Sequence, residues 1–201
     1  MQWLLGNNAV LQRWVDQLIA IGTEQAFPYW RAHSMIYRGW LKVKNGDADE
    51  GLSLLRSGSV ASGATGASPG MDNIALLAQG CEAAGQIEEA ISLLDDALQI
   101  AERTSERWFA AELNRHKGEL ALRQGHFQGA EELYRKALGI AQQQEAKLWE
   151  LRAAVSLARR LRDQGRHAEG RDLLAPIYDW FTEGFDAADL KDAKALMGEL
   201  V

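Results

Sequence analysis

Residues 106–144 read Glu-Arg-Trp-Phe-Ala-Ala-Glu-Leu-Asn-Arg-His-Lys-Gly-Glu-Leu-Ala-Leu-Arg-Gln-Gly-His-Phe-Gln-Gly-Ala-Glu-Glu-Leu-Tyr-Arg-Lys-Ala-Leu-Gly-Ile-Ala-Gln-Gln-Gln. The apolar residues recur at helical spacing on both sides of Gly125, so the stretch is two amphipathic helices joined by a glycine turn. The first carries the small residues Gly118 and Ala121, and the second carries Ala130, Tyr134 and Ala137. The rest of the chain repeats this unit. Turn glycines fall at Gly6, Gly46, Gly85, Gly125 and Gly165, at intervals of 40, 39, 40 and 40 residues. Seven residues before each of the last four stands a small residue: Gly39, Ala78, Gly118 and Ala158. Five residues after stands another, Gly51, Ala90, Ala130 and Gly170, and nine after stands a large one, Leu55, Leu94, Tyr134 and Leu174. Small residues let two helices approach closely, and the large ones fill the space between neighbouring pairs. Trp30, Trp108 and Trp149 each precede a turn by 16 or 17 residues and mark where the first helix of a pair begins.

At these residues the chain resembles the tetratricopeptide repeat family, whose pattern asks for Gly on the first helix and Ala, Tyr or Phe, and Ala on the second. The unit with Gly118, Ala130, Tyr134 and Ala137 matches best. The family's early Trp is replaced by Met35, Ile74, Asn114 and Ala154. The spacing of about 40 residues exceeds the usual 34, which implies longer helices. The phrases at 85–94, 118–120, 156–159 and 180–186 look like the helical-repeat tails of large bacterial signalling proteins that join a cyclase or DNA-binding domain to an ATPase core. The resemblance implies an all-α, right-handed superhelical solenoid of antiparallel helix pairs. It also implies a protein–protein interaction module, the sensor or scaffold tail of a larger cytoplasmic ATPase or cyclase. A free-standing homodimeric adaptor is the alternative.

The register divides one repeat domain, 1–201, into a partial repeat at 1–26, repeats at 27–65, 66–104, 105–144 and 145–182, and a capping helix at 183–201. Helices are predicted at about 8–22, 28–44, from 47 onward, 70–84, 87–103, 106–124, 127–143, 146–164, 167–181 and 187–199. Residues 1–5 read as the end of a first helix, with Asn7 or Asn8 capping the next. Leu11, Trp14, Val15 and Leu18 form that helix's apolar stripe, which an upstream segment or another surface would cover. Ser57–Gly70 is rich in Gly and Ser, and each interior Gly costs up to about 1 kcal/mol against Ala, so a frayed helix end and a mobile loop are expected there. Pro176 should bend or break its helix. Asp186 and Asp189 should cap the terminal helix, with Leu190 and Leu196 inward and Lys191 and Lys194 outward.

Composition limits the function. The chain has 201 residues, 47% hydrophobic and 25% charged, which is ordinary for a globular protein. A net charge of −6 offers no field for a polyanion, and the six arginines between 150 and 172 face four acids, so nucleic acid is not expected. Cys81 is the only cysteine, which allows no internal disulfide and fits a reducing cytoplasm. Its register position is inward, as a buried structural thiol. No apolar run is long enough to span a bilayer, and residues 1–8 lack the basic region of a signal peptide. Glu112, His116 and Glu119 share a helix face, but the register places no further ligands to complete a zinc site, and an exposed polar face is expected. The glycines at 57–70 lack the Lys of a phosphate-binding loop and any preceding strand. There is no His-Glu-x-x-His and no Gly-x-Ser-x-Gly, so neither an enzyme nor a cofactor is expected.

A peptide groove is the remaining candidate. In this architecture the first helices line it, with positions 13, 10, 6 and 3 before each turn glycine pointing in. The candidates are His33, Ile36, Trp40, Gln79, Glu82, Glu112, Arg115, Glu119, Arg152, Arg159 and Arg162, flanked by Val43, Asp72, Ala75, Leu122 and Val155. The three last arginines suit a carboxylate or acidic segment; equally, the face could be solvated and laced with its own Glu and Arg. The family's best-known clamp grips a C-terminal carboxylate with Lys and Asn. Its positions here hold Ile36, Trp40, Ala75, Gln79, Arg115 and Glu119, so that specificity is not implied.

Overall fold

The computed structural model describes residues 8–67 and 70–200. All regular structure among them is helical: α1 (Asn8–Glu24), α2 (Pro28–Lys44), α3 (Ala48–Ala64), α4 (Met71–Ala83), α5 (Ile87–Thr104), α6 (Ala110–Arg123), α7 (Phe127–Gln143), α8 (Lys147–Asp163), α9 (His167–Asp179) and α10 (Ala188–Glu199). The chain forms two units, Met1–Thr104 and Ser105–Val201. The expectations on Gly6, Asn7, residues 1–5 and the 68–69 part of the 57–70 stretch lie outside the described residues.

The predicted turns form as expected. Gly46, Gly85, Gly125 and Gly165 all adopt positive φ, between 75° and 91°, a region open to glycine at little cost. Each ends the first helix of a pair. A second left-handed series was not visible in the sequence: Ala26, Gly66, Ser105, Glu145 and Gly184 also have positive φ, between 52° and 79°, and again recur every 39 or 40 residues. These residues lie in the connections that follow α1, α3, α5, α7 and α9. Three of the five are not glycine, so the sequence gives no periodic sign of them.

In the first unit α2 pairs with α3 and α4 with α5, while α1 packs on α2, and α4 on both α2 and α3. The backbones of α2 and α3 approach closely where Gly39 meets Gly51. A Cβ on Gly39 would stand 2.7 Å from the Gly51 carbonyl oxygen, and one on Gly51 would stand 2.8 Å from that of Gly39. In the second unit α6 pairs with α7 and α8 with α9. The ring of Tyr134 lies over Gly118, and Ala158 lies against Gly170. The core there runs through Tyr134, Leu151, Leu161 and Leu174 to Leu190 and Leu196 of α10. Lys191 and Lys194 are exposed, so α10 closes this unit as an amphipathic cap.

Four local expectations fail. The helix α3 does not fray: it continues to Ala64. Gly58 is held against Ile36, where a Cβ would stand 2.8 Å from Cγ1, and Ser62 is buried. Tertiary packing outweighs low propensity here, because small residues are what this contact requires. The helix α9 is unbroken at Pro176 and ends at Asp179, two residues before the expected 181. The residue at the cap of α10 is Ala187, with no side-chain cap; Asp189 is instead engaged by Arg152. The helix α6 begins at Ala110, four residues later than expected.

Candidate functional site

The register brings like positions of successive first helices together. In the first unit, Trp40 and Gln79 are both six residues before their turns, and the Trp40 indole N–H donates to Gln79 Oε1 at 3.1 Å. His33 Nδ1 lies 3.1 Å from the Tyr29 carbonyl oxygen, and its Nε2 lies 3.2 Å from Asn73 Nδ2. In the second unit, Glu112 and Arg152 are both thirteen residues before their turns and lie 3.7 Å apart.

Burial divides the candidates. Ile36 and Trp40 are 1% and 3% exposed, and His33 is also buried. They were expected to open into the groove. The Gly39, Gly51 and Gly58 contacts seat α2 so deeply on α3 that its apolar side chains enter the core, where burial stabilises them. Gln79, Glu82, Glu112, Arg115 and Glu119 are half-buried, as are Arg152, Arg159 and Arg162. His116 is buried, not part of an exposed polar face.

Arg115, Arg152, Val155 and Arg159 converge with Ser156, Asp189 and Asp192 on a cleft of about 190 Å³ between α6, α8 and α10. Arg115 is clamped by Glu112 at 2.8 Å and by Glu119. Burial alone would push the Glu112 carboxyl up, but the Arg115 and Arg152 guanidiniums outweigh it and hold the group below its usual range. The same carboxylates raise Arg115 against the opposing effect of its own burial.

The arginine row of α8 meets an acidic row that was read only as part of a cap. Arg152 binds Asp189 with two parallel hydrogen bonds of 2.8 Å. Arg159 pairs with Asp192, and Arg162 with Glu199. The helix α10 thus occupies the place a next first helix would take. Its acids were visible in the sequence, but their alignment with the arginines required knowing that α10 packs along α8. Of the three tryptophans at the starts of first helices, Trp30 and Trp108 are about half exposed, whereas Trp149 is buried, edge-on to Phe109 at 5.3 Å.

Cys81 is fully buried, and burial pushes its thiol pKa up, so it is a poor nucleophile. Among the described residues no three His, Cys, Asp or Glu side chains are grouped to hold a metal ion. No helix among them is long and apolar enough to cross a membrane.

Comparison with known proteins agrees with this architecture. Tetratricopeptide repeat models match residues 71–143 and 151–176. No curated protein matches the chain. Among solved structures, BtubC (BKLC) from P. vanneervenii is similar at 17% identity and TM-score 0.70, covering 98% of this chain and 89% of that one. The nearly identical TPR-like repeats of a kinesin light chain candidate from Podosopora anserina align at 21% identity and TM-score 0.65, covering 85% of each chain. MamA aligns at 14% identity and TM-score 0.53, covering 96% of this chain and 91% of its own. At these identities the likeness is one of fold. Both sequence matches fall on the helix pairs that carry the Gly85, Gly125 and Gly165 turns, and these pairs are tetratricopeptide repeats.

Proposed function

We propose that this chain is a non-catalytic protein-binding module, the repeat tail of a larger cytoplasmic signalling ATPase or cyclase, and that Arg159 and Arg162 read an acidic segment of its partner. Tetratricopeptide repeats are protein-interaction modules, and the observation that carries the finer reading is that the arginine row of α8 already holds an acidic helix. The arginines of this face, with Arg115 of α6 included, fall into two groups. Arg115 and Arg152 are 16% and 17% exposed, and stripping their carboxylates would strand buried charge, at about 3–5 kcal/mol. Arg159 and Arg162 are 43% and 30% exposed, and their partners Asp192 and Glu199 about half exposed. Exposed pairs of this kind are worth about 0–1 kcal/mol. A partner's carboxylates can therefore replace Asp192 and Glu199 at little cost.

The test is affinity capture from the source cells with the wild type and the Arg159→Glu/Arg162→Glu variant. The variant, which loses two such pairs, should unfold within about 2 kcal/mol of wild type and lose its principal partner at least tenfold. Equal recovery of the same partner by both would discard the reading. The tail assignment is tested by blotting source cells with an antibody to this chain. A band well above 22.2 kDa is expected; one at that mass would favour a free-standing adaptor.

A second reading has its own observation. On α1, Leu11 and Val15 are buried while Trp14 and Ile21 are 62% and 53% exposed. This face suits a second copy of the chain, in the manner of a homodimeric adaptor.

A further inference from the structure

The second unit contains a three-part contact of ring, cation and carboxylate. The Arg152 guanidinium lies 5.3 Å from the centre of the Trp149 ring and donates two hydrogen bonds of 2.8 Å to Asp189. Such a cation gains both cation–π attraction and charge-assisted hydrogen bonds. The first unit repeats the two outer members. Trp30, like Trp149, stands sixteen residues before its turn glycine. Asp72 and Asp189 are each the second residue of the helix that follows in the row, α4 packed on α2 and α10 packed on α8. The middle member differs: thirteen residues before the turn, His33 stands where Arg152 does.

His33 does not take over the arginine's contacts. Its Nδ1 faces the Tyr29 carbonyl oxygen at 3.1 Å and its Nε2 faces Asn73 Nδ2 at 3.2 Å. Both ring nitrogens are thus engaged by neutral groups. Among the described residues the Asp72 carboxylate has no ion pair or hydrogen bond, and no Lys or Arg lies over Trp30. Both groups reach solvent: Trp30 is 47% exposed and Asp72 is partly exposed. Trp30, His33 and Tyr37 share one face of α2 at i, i+3 and i+7. Burial and the charge of Asp72 push the Tyr37 phenol up to about 12, so the carboxylate adjoins that face. Tyr29 holds the Trp30 ring from the side, nearly perpendicular to it at 5.0 Å.

We propose that Trp30 and Asp72 form a binding site for an arginine side chain of a protein partner, whose guanidinium takes in the first unit the place that Arg152 fills in the second. The planar guanidinium can stack on an aromatic face and grip a carboxylate with paired N–H groups, which a lysine ammonium cannot do together. Arg152 shows both contacts within this chain. The site lies in the other unit from the α8 arginines and takes the opposite charge, so either reading can fail alone.

The test titrates Nα-acetyl-L-arginine methylamide into the nitrogen-15-labelled full chain and follows the Trp30 indole N–H by NMR. Wild type should give a saturable shift of that signal. The citrulline analogue, alike in shape but uncharged, should bind about fivefold more weakly. Asp72→Asn should weaken arginine binding by about the same factor with little change in melting temperature. Trp30→Leu, followed at the backbone amide of Asp72, should do likewise and serves if Asp72→Asn folds poorly. No saturable shift in wild type, equal binding of the citrulline analogue, or undiminished binding by a folded variant would each overturn the proposal.

Discussion

Gly39→Ala is expected to cost about 3 kcal/mol of folding stability. The added Cβ would stand 2.7 Å from the Gly51 carbonyl oxygen, 2.8 Å from the Leu55 nitrogen and 3.0 Å from Leu54 Cβ. Two of these three are backbone atoms, which no rotamer change can move, so α2 and α3 must separate. Separation would also loosen Ile36 and Trp40, which the crossing holds in the core. The same substitution elsewhere has the opposite sign. A Cβ on Gly129 of α7 meets nothing within 4 Å, and Gly129→Ala should gain about 0.5–1 kcal/mol from helix propensity and a less flexible unfolded chain. Urea unfolding of the two variants beside wild type is the check. Equal effects would show that the Gly39–Gly51 crossing is not a tight one.

Tyr134→Ala should cost about 4 kcal/mol. The ring is 2% exposed and lies against Gly118, where a Cβ would come within 2.6 Å of Cε1 and 2.8 Å of Cδ1. Removing it empties the space that the register reserves for a large residue nine positions after the turn. Gly118→Val alone should also destabilise, by about 1–3 kcal/mol, because its side chain overpacks against the ring. In the Tyr134→Ala background the same valine enters vacated space. The two changes should therefore couple by at least about 1 kcal/mol in a double-mutant cycle. Strict additivity would mean that the two residues do not share one volume.

These two sites explain how much the sequence disclosed. A glycine turn and a small–small crossing are requirements on single residues, and they recur at fixed spacing, so the four turns and the pairs Gly39–Gly51 and Gly118–Ala130 could be read in one dimension. The second left-handed series could not, because Ala26, Ser105 and Glu145 are ordinary residues held at positive φ by the helices on either side. The helix through Ser57–Ala64 was hidden for a related reason: its propensity is poor, and only the partner surface of α2 makes small residues favourable there.

The candidate site was legible in register but not in burial. Arg115, Arg152 and Arg159 do share one cleft. The apolar character of Ile36 and Trp40 was itself the sign that they would be buried. What stayed hidden was the pairing of Arg152, Arg159 and Arg162 with Asp189, Asp192 and Glu199, which depends on how α10 lies along α8.

Hydrogen exchange of the chain, alone and with its captured partner, tests the central claim most directly. If the exposed arginines read the partner, added protection will fall on the amides of α8 and α10. Protection confined to α1 and α2 would contradict that account and assign the partner to the face of Trp14 and Ile21.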